Sequence, residues 1–332
     1  MPELSPTLLK SLNKAIASHN LESVGDAIRA NAAPCLSIAA TETDDFSTTG
    51  NTRFGGEPDL PKDASWPTDP DDNARFANFV AQINFAELPN VDGDDVLPKT
   101  GVLYIFVRFM EAAASPAILD TIFYDGDTAQ LERRSNPPNE SLCNEYLVDL
   151  IPQRISAVPS VSIPSYRKQF RSHVEQNTAE VDGDDGEMRL MDLESDLCAD
   201  GQIGQLLGFA NPGDDQENLY RQVVLALLGK RPLVYNDYWD SMEEYEAYIE
   251  EWRDDKSLVA MYRDMHDGVV WLTSNREMIQ SHVDEWRLLL RVDSNFEMNL
   301  SINDADPMYV FIRNEDLANR DFSNLACEVT QG

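Results

Sequence analysis

Four residues have the chemistry and the setting to hold a polar ligand: Arg53, Gln82, Asp293 and Arg313. Arg53 opens the turn Arg53-Phe54-Gly55-Gly56, and the other three sit at or beside the ends of apolar runs, where a side chain is presented rigidly. Two guanidinium groups, an amide and a carboxylate could line one cleft between two groups of strands and grip a polar ligand or the tail of a partner. The alternative is structural: Arg53 and Arg313 could satisfy carboxylates and carbonyls at loop junctions. Spacing along the chain does not separate the two.

Other chemistry finds little support. The four histidines, His19, His173, His266 and His282, show no His-x-x-x-His or His-Glu-x-x-His spacing, so no helical zinc site is expected. No Gly-x-Ser-x-Gly elbow is present. Gly201, Gly204 and Gly208 have the wrong spacing for a nucleotide loop, and no strand is evident before them. The acidic stretches Asp69 to Asn73, Asp92 to Asp95 and Asp182 to Asp185 lack the central Gly or distal Glu of a helix–loop–helix calcium site. Neither metal nor cofactor is called for. Cys35, Cys143, Cys198 and Cys327 are isolated and suit reduced core positions.

The elements that would position these groups are mixed. Leu8, Leu9, Leu12 and Ile16 make a helical stripe behind Ser5 and Pro6, and Leu21, Val24 and Ile28 a second behind Asn20. Strands are expected over Cys35 to Ala40, Phe79 to Asn84, Gly101 to Phe109 and Ala117 to Tyr124, with more extended chain from Leu142 to Val158. Helices then dominate: Tyr166 to Asn177, Met188 to Leu197, Gln216 to Leu228, and a long one from the Ser241/Glu244 capping box towards His266. Strands return at Trp286 to Val292, Met308 to Arg313 and Leu325 to Val329. Successive strands without intervening helices predict an α+β fold with antiparallel or mixed sheets, two strand-rich parts flanking a helical insertion. The expected divisions are 1–50, 51–165, 166–285 and 286–332. Val80 to Phe85 followed by Val102 to Phe106 parallels Leu288 to Val292 followed by Met308 to Ile312, which raises an internal duplication.

Charge narrows the partners. There are 59 acidic and 26 basic side chains, a net charge of -33, with no strong basic cluster. Phosphate neutralisation and attraction to anionic lipid both need a cationic face, so neither nucleic acid nor a membrane is expected as partner. A solvated surface, a docking face for a basic or neutral protein partner, and cation binding remain open. The first stretch, Met1 to Asn20, has polar residues throughout and no apolar core of signal-peptide length, and the apolar runs are too short to span a bilayer, so a cytoplasmic setting is expected.

A resemblance runs through most of the chain from Asn51 onwards. Arg53-Phe54-Gly55-Gly56 with Pro58, Leu60-Pro61 and Trp66-Pro67 carry it first, then Ala81-Gln82-Ile83-Asn84 with Glu87-Leu88-Pro89, and Leu97-Pro98-Lys99 with Gly101. Leu206-Leu207-Gly208-Phe209, Leu288 to Asn295, Phe311-Ile312-Arg313 with Glu315-Asp316-Leu317, and Asp321-Phe322-Ser323 continue it. On these motifs the sequence resembles the YwqG-like family, a domain of unknown function (1963). The chain departs from that pattern in two places: Ile302 to Pro307 stands where a Trp-Gly-Asp-like element is usual, and Arg291 where a Gln is often found. The resemblance implies an α+β fold, a cytoplasmic setting and no established activity. By analogy with relatives near toxin–immunity clusters, it suggests protein binding. A noncatalytic binding protein is therefore the leading expectation, and an enzyme using a carboxylate/Arg cleft the alternative.

Overall fold

The computed structural model describes residues 3–91, 96–109, 118–165, 167–179, 185–211, 219–230, 239, 241–302 and 305–329. The expected loops at Asp92 to Asp95 and Asp182 to Asp185 lie wholly or mostly outside them. Two compact units are present: residues 1–218 with 287–332, and residues 219–286.

The larger unit is built on one sheet. Its strands are β1 (Ala33–Thr43), β2 (Arg53–Phe54), β3 (Asp59–Pro61), β4 (Asn78–Asn84), β5 (Val102–Phe109), β6 (Ile118–Tyr124), β7 (Leu131–Arg133), β8 (Gln153–Ser162), β9 (Gln202–Leu206), β10 (Trp286–Val292), β11 (Met308–Arg313) and β12 (Ala326–Val329). Among the described residues ten of them form the order β12-β11-β10-β9-β1-β8-β2-β4-β5-β6, and β3 pairs with β7 separately. The edge strands approach one another: Thr121 of β6 donates to Phe322 O at 2.5 Å, just before β12, so the sheet curls towards closure. Inside lies the main core, with Leu36, Ile38, Phe54, Leu103, Ile105, Leu206, Leu290, Val310 and Ile312 buried together. The α+β expectation holds, with an antiparallel sheet.

The strand order is a palindrome with a meaning. Exchanging β1 with β8, β2 with β9, β4 with β10, β5 with β11 and β6 with β12 reproduces it. The registers agree. Phe54 faces Ala81 and Arg53 faces Gln82; in the other half Leu206 faces Leu290 and Gln205 faces Arg291. After β2 come two residues with positive φ, Gly55 and Gly56, and after β9 come Leu207 and Gly208, also positive. Gly55 N donates to Val80 O of β4, and Leu207 N to Leu289 O of β10. The two halves have matching topology, as a duplicated sequence would produce.

Helices α1 (Pro6–Ser18) and α2 (Gly25–Asn31) pack with α3 (Lys168–Gln176) and α4 (Gly186–Leu197). Leu8, Leu12, Ile16 and Ile28 meet Phe170, Val174, Leu190 and Leu193 over Val161 of β8, which buries the two N-terminal stripes. A short helix, α10 (Asn314–Ala318), follows β11.

The smaller unit is helical: α5 (Leu219–Leu227), α6 (Met242–Glu251), α7 (Lys256–Asp264), α8 (His266–Ser274) and α9 (Arg276–Val283). Gly229, at φ 66°, ends α5, with Lys230 N reaching Leu225 O at 2.7 Å. The single long helix expected towards His266 is broken. Asp255 accepts from Ser257 N and Leu258 N, capping a new helix, and Trp252 is left 44% exposed rather than anchored in a core. Trp239 packs edge-on against Tyr245, Tyr248 and Tyr262 instead. The region expected to be a helical insertion also supplies β9, a strand of the main sheet that its short length and Gly204 concealed.

Candidate functional site

The matched halves carry two polar rows on the face opposite the core. In the first, Arg154, Arg53, Gln82 and Tyr104 stand side by side across β8, β2, β4 and β5. Arg53 and Gln82 have no exposed surface. A buried guanidinium needs a counter-charge and full hydrogen bonding. Asp59 provides both: its Oδ2 lies 2.9 Å from Arg53 and accepts from Gly50 N at 2.8 Å and Gln82 Nε2 at 3.1 Å. Its Oδ1 takes Arg133 at 2.8 Å, whose guanidinium stacks 4.2 Å over the Phe46 ring. Burial pushes the Asp59 carboxyl up, but the bonds from Arg53 and Gly50 and the Arg53 charge outweigh it and hold it below the ordinary range. Tyr104 closes the row by donating to Asp59 O.

This network is structural. With no surface of their own, Arg53 and Gln82 cannot line an open cleft, and the expected four-residue cleft is corrected at these two positions. Arg53 satisfies carboxylates at a loop junction because the Gly55-Gly56 turn brings the Asp59 segment back over its own strand.

The second row repeats the first with different side chains. Ser37, Gln205 and Arg291 stand in register across β1, β9 and β10. Gln205 Nε2 donates to Phe209 O, as the Arg53 guanidinium donates to Glu57 O. Tyr309 of β11 donates to Asn211 O at 2.7 Å, as Tyr104 does to Asp59 O. Asn211 thus stands where Asp59 stands, and the buried carboxylate is missing. Arg291 turns to Asp293 instead, Nε to Oδ1 at 2.8 Å and Nη2 to Oδ2 at 3.0 Å, with their side chains 18% and 26% exposed.

Beside this pair lies Glu194, near the end of α4. Its Oε1 accepts from Asn211 Nδ2 at 3.0 Å, and the Ser165 side chain also bonds it. Burial pushes its carboxyl from 4.5 up to about 7, against the Ser165 bond and the nearby Arg291 charge. Cys198 follows one turn later, its Sγ donating to Glu194 O; burial raises this thiol too, so it is a poor nucleophile. Cys198 as a residue is nonetheless exposed, its sulfur alone being drawn out of solvent, unlike the core role expected of it.

The structure therefore brings Arg53 and Gln82 together, places Asp293 in the matching row of the other half, and leaves Arg313 exposed at the end of β11. Arg313 follows Phe311-Ile312 as Arg108 follows Phe106-Val107. Glu194, Gln205, Asn211, Arg291 and Tyr309 were missed as site residues. The repeat of Tyr104-Ile105-Phe106-Val107-Arg108 in Tyr309-Val310-Phe311-Ile312-Arg313 was the available signal. Among the described residues no three metal-ligating side chains gather, and no helix is long and apolar enough to cross a membrane.

A curled, internally matched antiparallel sheet with one closed and one half-open polar row defines an α+β domain. Its sequence matches the family described as a domain of unknown function (DUF1963) over residues 52–330, and the chain belongs to that family. No curated protein matches it.

Proposed function

We propose that the protein is a noncatalytic binding protein whose partner is a basic or neutral protein, received at the half-open row around Arg291, Asp293 and Glu194. The supporting observation is the contrast between the halves. Where the first row is sealed by Asp59 and Arg133, the second keeps an ion pair partly in solvent. A net charge of -33 would speed the approach of a basic protein and repel an acidic one. Binding is favoured over acid–base catalysis because both Asp293 oxygens face Arg291, which leaves Glu194 without a free second carboxylate from that pair.

Fluorescence anisotropy with labelled oligo-arginine and oligo-glutamate tests this reading. Oligo-arginine should bind, should weaken as sodium chloride rises, and should lose affinity in Asp293→Asn. Binding of the acidic peptide, or equal affinities across salt, would refute it.

A further inference from the structure

The row around Arg291 contains two oxygen acceptors without the positive donor that their surroundings call for. Asn211 gives its amide hydrogens to Ile163 O at 2.8 Å and to Glu194 Oε1 at 3.0 Å, which fixes the orientation of its side chain. Its Oδ1 is shut from solvent and, among the described residues, accepts no hydrogen bond. A buried acceptor left without a donor destabilises the fold, and a ligand that supplies the donor relieves that cost. Beside it, the Glu194 carboxyl receives only neutral donors, Asn211 and Ser165. The cation nearest to it in effect, Arg291, is held by Asp293, with Nη2 donating to Oδ2 and Nε within ion-pair distance of Oδ1. No ion pair to Glu194 forms among the described residues.

The first half shows what such a place holds when it is filled from within. There the Arg133 guanidinium meets Asp59 Oδ1 through Nε at 3.0 Å and Nη2 at 2.8 Å, donates to the carbonyl of Phe46 at 3.0 Å, and stacks on that ring. Arg133 comes from β7, a strand outside the ten that the two halves share. In the second half the carboxylate is supplied by α4 and the neighbouring acceptor is an amide oxygen. Two acceptors side by side match the fork of a guanidinium better than the single point of an ammonium.

We propose that Glu194 and Asn211 form a binding subsite for a guanidinium group, the arginine side chain of a basic protein partner. The Arg291–Asp293 pair borders the subsite and contributes no net charge. Glu194 supplies the counter-charge when ionised, and Asn211 Oδ1 gains the donor it lacks. The groups facing Glu194 are Ser165 after β8, Asn211 after β9, Arg291 on β10 and Cys198 on its own helix; only Arg291 is charged, and Asp293 offsets it. Uptake of a cation should therefore strengthen from pH 6 to pH 8, as the carboxyl loses its proton. The proposal rests on the binding reading above and specifies its chemistry.

The test uses the full chain and two short peptides, one carrying arginine and one carrying citrulline, its neutral isostere, followed by NMR of the Asn211 side-chain amide and by calorimetry. The arginine peptide should shift the Asn211 signal and lower the pH at which Glu194 titrates, and the citrulline peptide should do neither. Glu194→Gln should weaken the arginine peptide about tenfold or more, the equivalent of one charged hydrogen bond. Asn211→Ala removes the other acceptor, and calorimetry of the arginine peptide should show a similar loss there, which keeps the test independent of how Glu194→Gln folds. Equal binding of arginine and citrulline, or an arginine affinity unmoved in both variants, would overturn the subsite. If long oligo-arginine still binds both variants with strong salt dependence, the subsite fails and the broader reading stands. If neither ligand binds the native chain, both fall.

Discussion

Gln82 and Arg291 occupy the same place in the two halves of one sheet, and their cross-strand neighbours are exchanged: Gln82 faces Arg53, and Arg291 faces Gln205. Each of these two facing pairs holds one guanidinium and one amide, so the charge has moved from the short strand β2 to the long strand β10. The consequence is accessibility. Arg53 is sealed beneath its own loop, where only Asp59 and Asp44 can neutralise it, whereas Arg291 lies at the open end with Asp293. A matched scaffold thus carries one sealed ion pair and one partly hydrated ion pair, depending on which strand bears the arginine.

Removing Asp59 should be severely destabilising. In Asp59→Ala the buried Arg53 keeps only Asp44, at 3.5 Å, as a counter-charge, and Gly50 N and Arg133 lose their shared acceptor. Breaking one side of a buried pair costs about 3–5 kcal/mol. Asp293→Ala, whose pair is partly hydrated, should cost less than half of that. Urea midpoints of the two variants decide it, and equal losses would contradict the distinction between the rows.

Glu194 should make stability fall as pH rises. Its folded-state carboxyl is raised from 4.5 to about 7, so the native state holds a proton that the unfolded chain gives up first. The penalty is absent below pH 4.5, grows between 4.5 and 7, and is complete above that. Glu194→Gln removes it, so the variant should overtake the native protein by at most about 3 kcal/mol at pH 8 and match it near pH 4.5. Urea titrations at the two pH values test the sign; a variant equally stable relative to the native chain at both would remove Glu194 from this role.

How much of this was legible depended on what each signal measures. Apolar alternation marked β4, β5, β6, β10, β11 and β12, because one face of each must meet the core. The short strands β2 and β9 left no such trace. Arg53–Phe54 has two residues, and Gln202–Leu206 carries Gly204, whose Cβ would fall 2.4 Å from Arg291 O. Those two strands hold Arg53 and Gln205, so missing them hid the rows. Arg53, Gln82 and Asp293 were recognised by type and position, but Glu194 and Asn211 reach the site from a helix end and a loop. Only tertiary packing brings them together, and no spacing along the chain encodes it.

Two glycines should behave alike and a third should not. A Cβ on Gly56 would lie 2.6 Å from Pro152 Cβ, and one on Gly208 would lie 2.6 Å from Ser162 Cβ, each at positive φ. Gly201 has φ 68° but nothing within 4 Å. Gly201→Ala should cost about 1 kcal/mol from backbone strain alone. Gly56→Ala and Gly208→Ala should each cost more, because neighbouring strands must also move. Thermal midpoints of the three variants test the equivalence of the two turns, and a mild Gly208→Ala beside a severe Gly56→Ala would break it.

Salt should stabilise the fold as a whole. With 59 acidic and 26 basic side chains, surface carboxylates repel one another over distances that unfolding would relax. At about 0.1 M salt the screening length is roughly 10 Å, enough to quiet repulsion between separate surface groups. The sealed Arg53–Asp59 pair is shielded from solvent and should contribute the same at every ionic strength. The urea midpoint should therefore rise from dilute buffer to moderate sodium chloride while the slope of the transition stays fixed, since the surface exposed on unfolding is unchanged. Equal midpoints would mean that the acidic side chains are already compensated locally, and would remove the long-range field invoked to steer a basic partner.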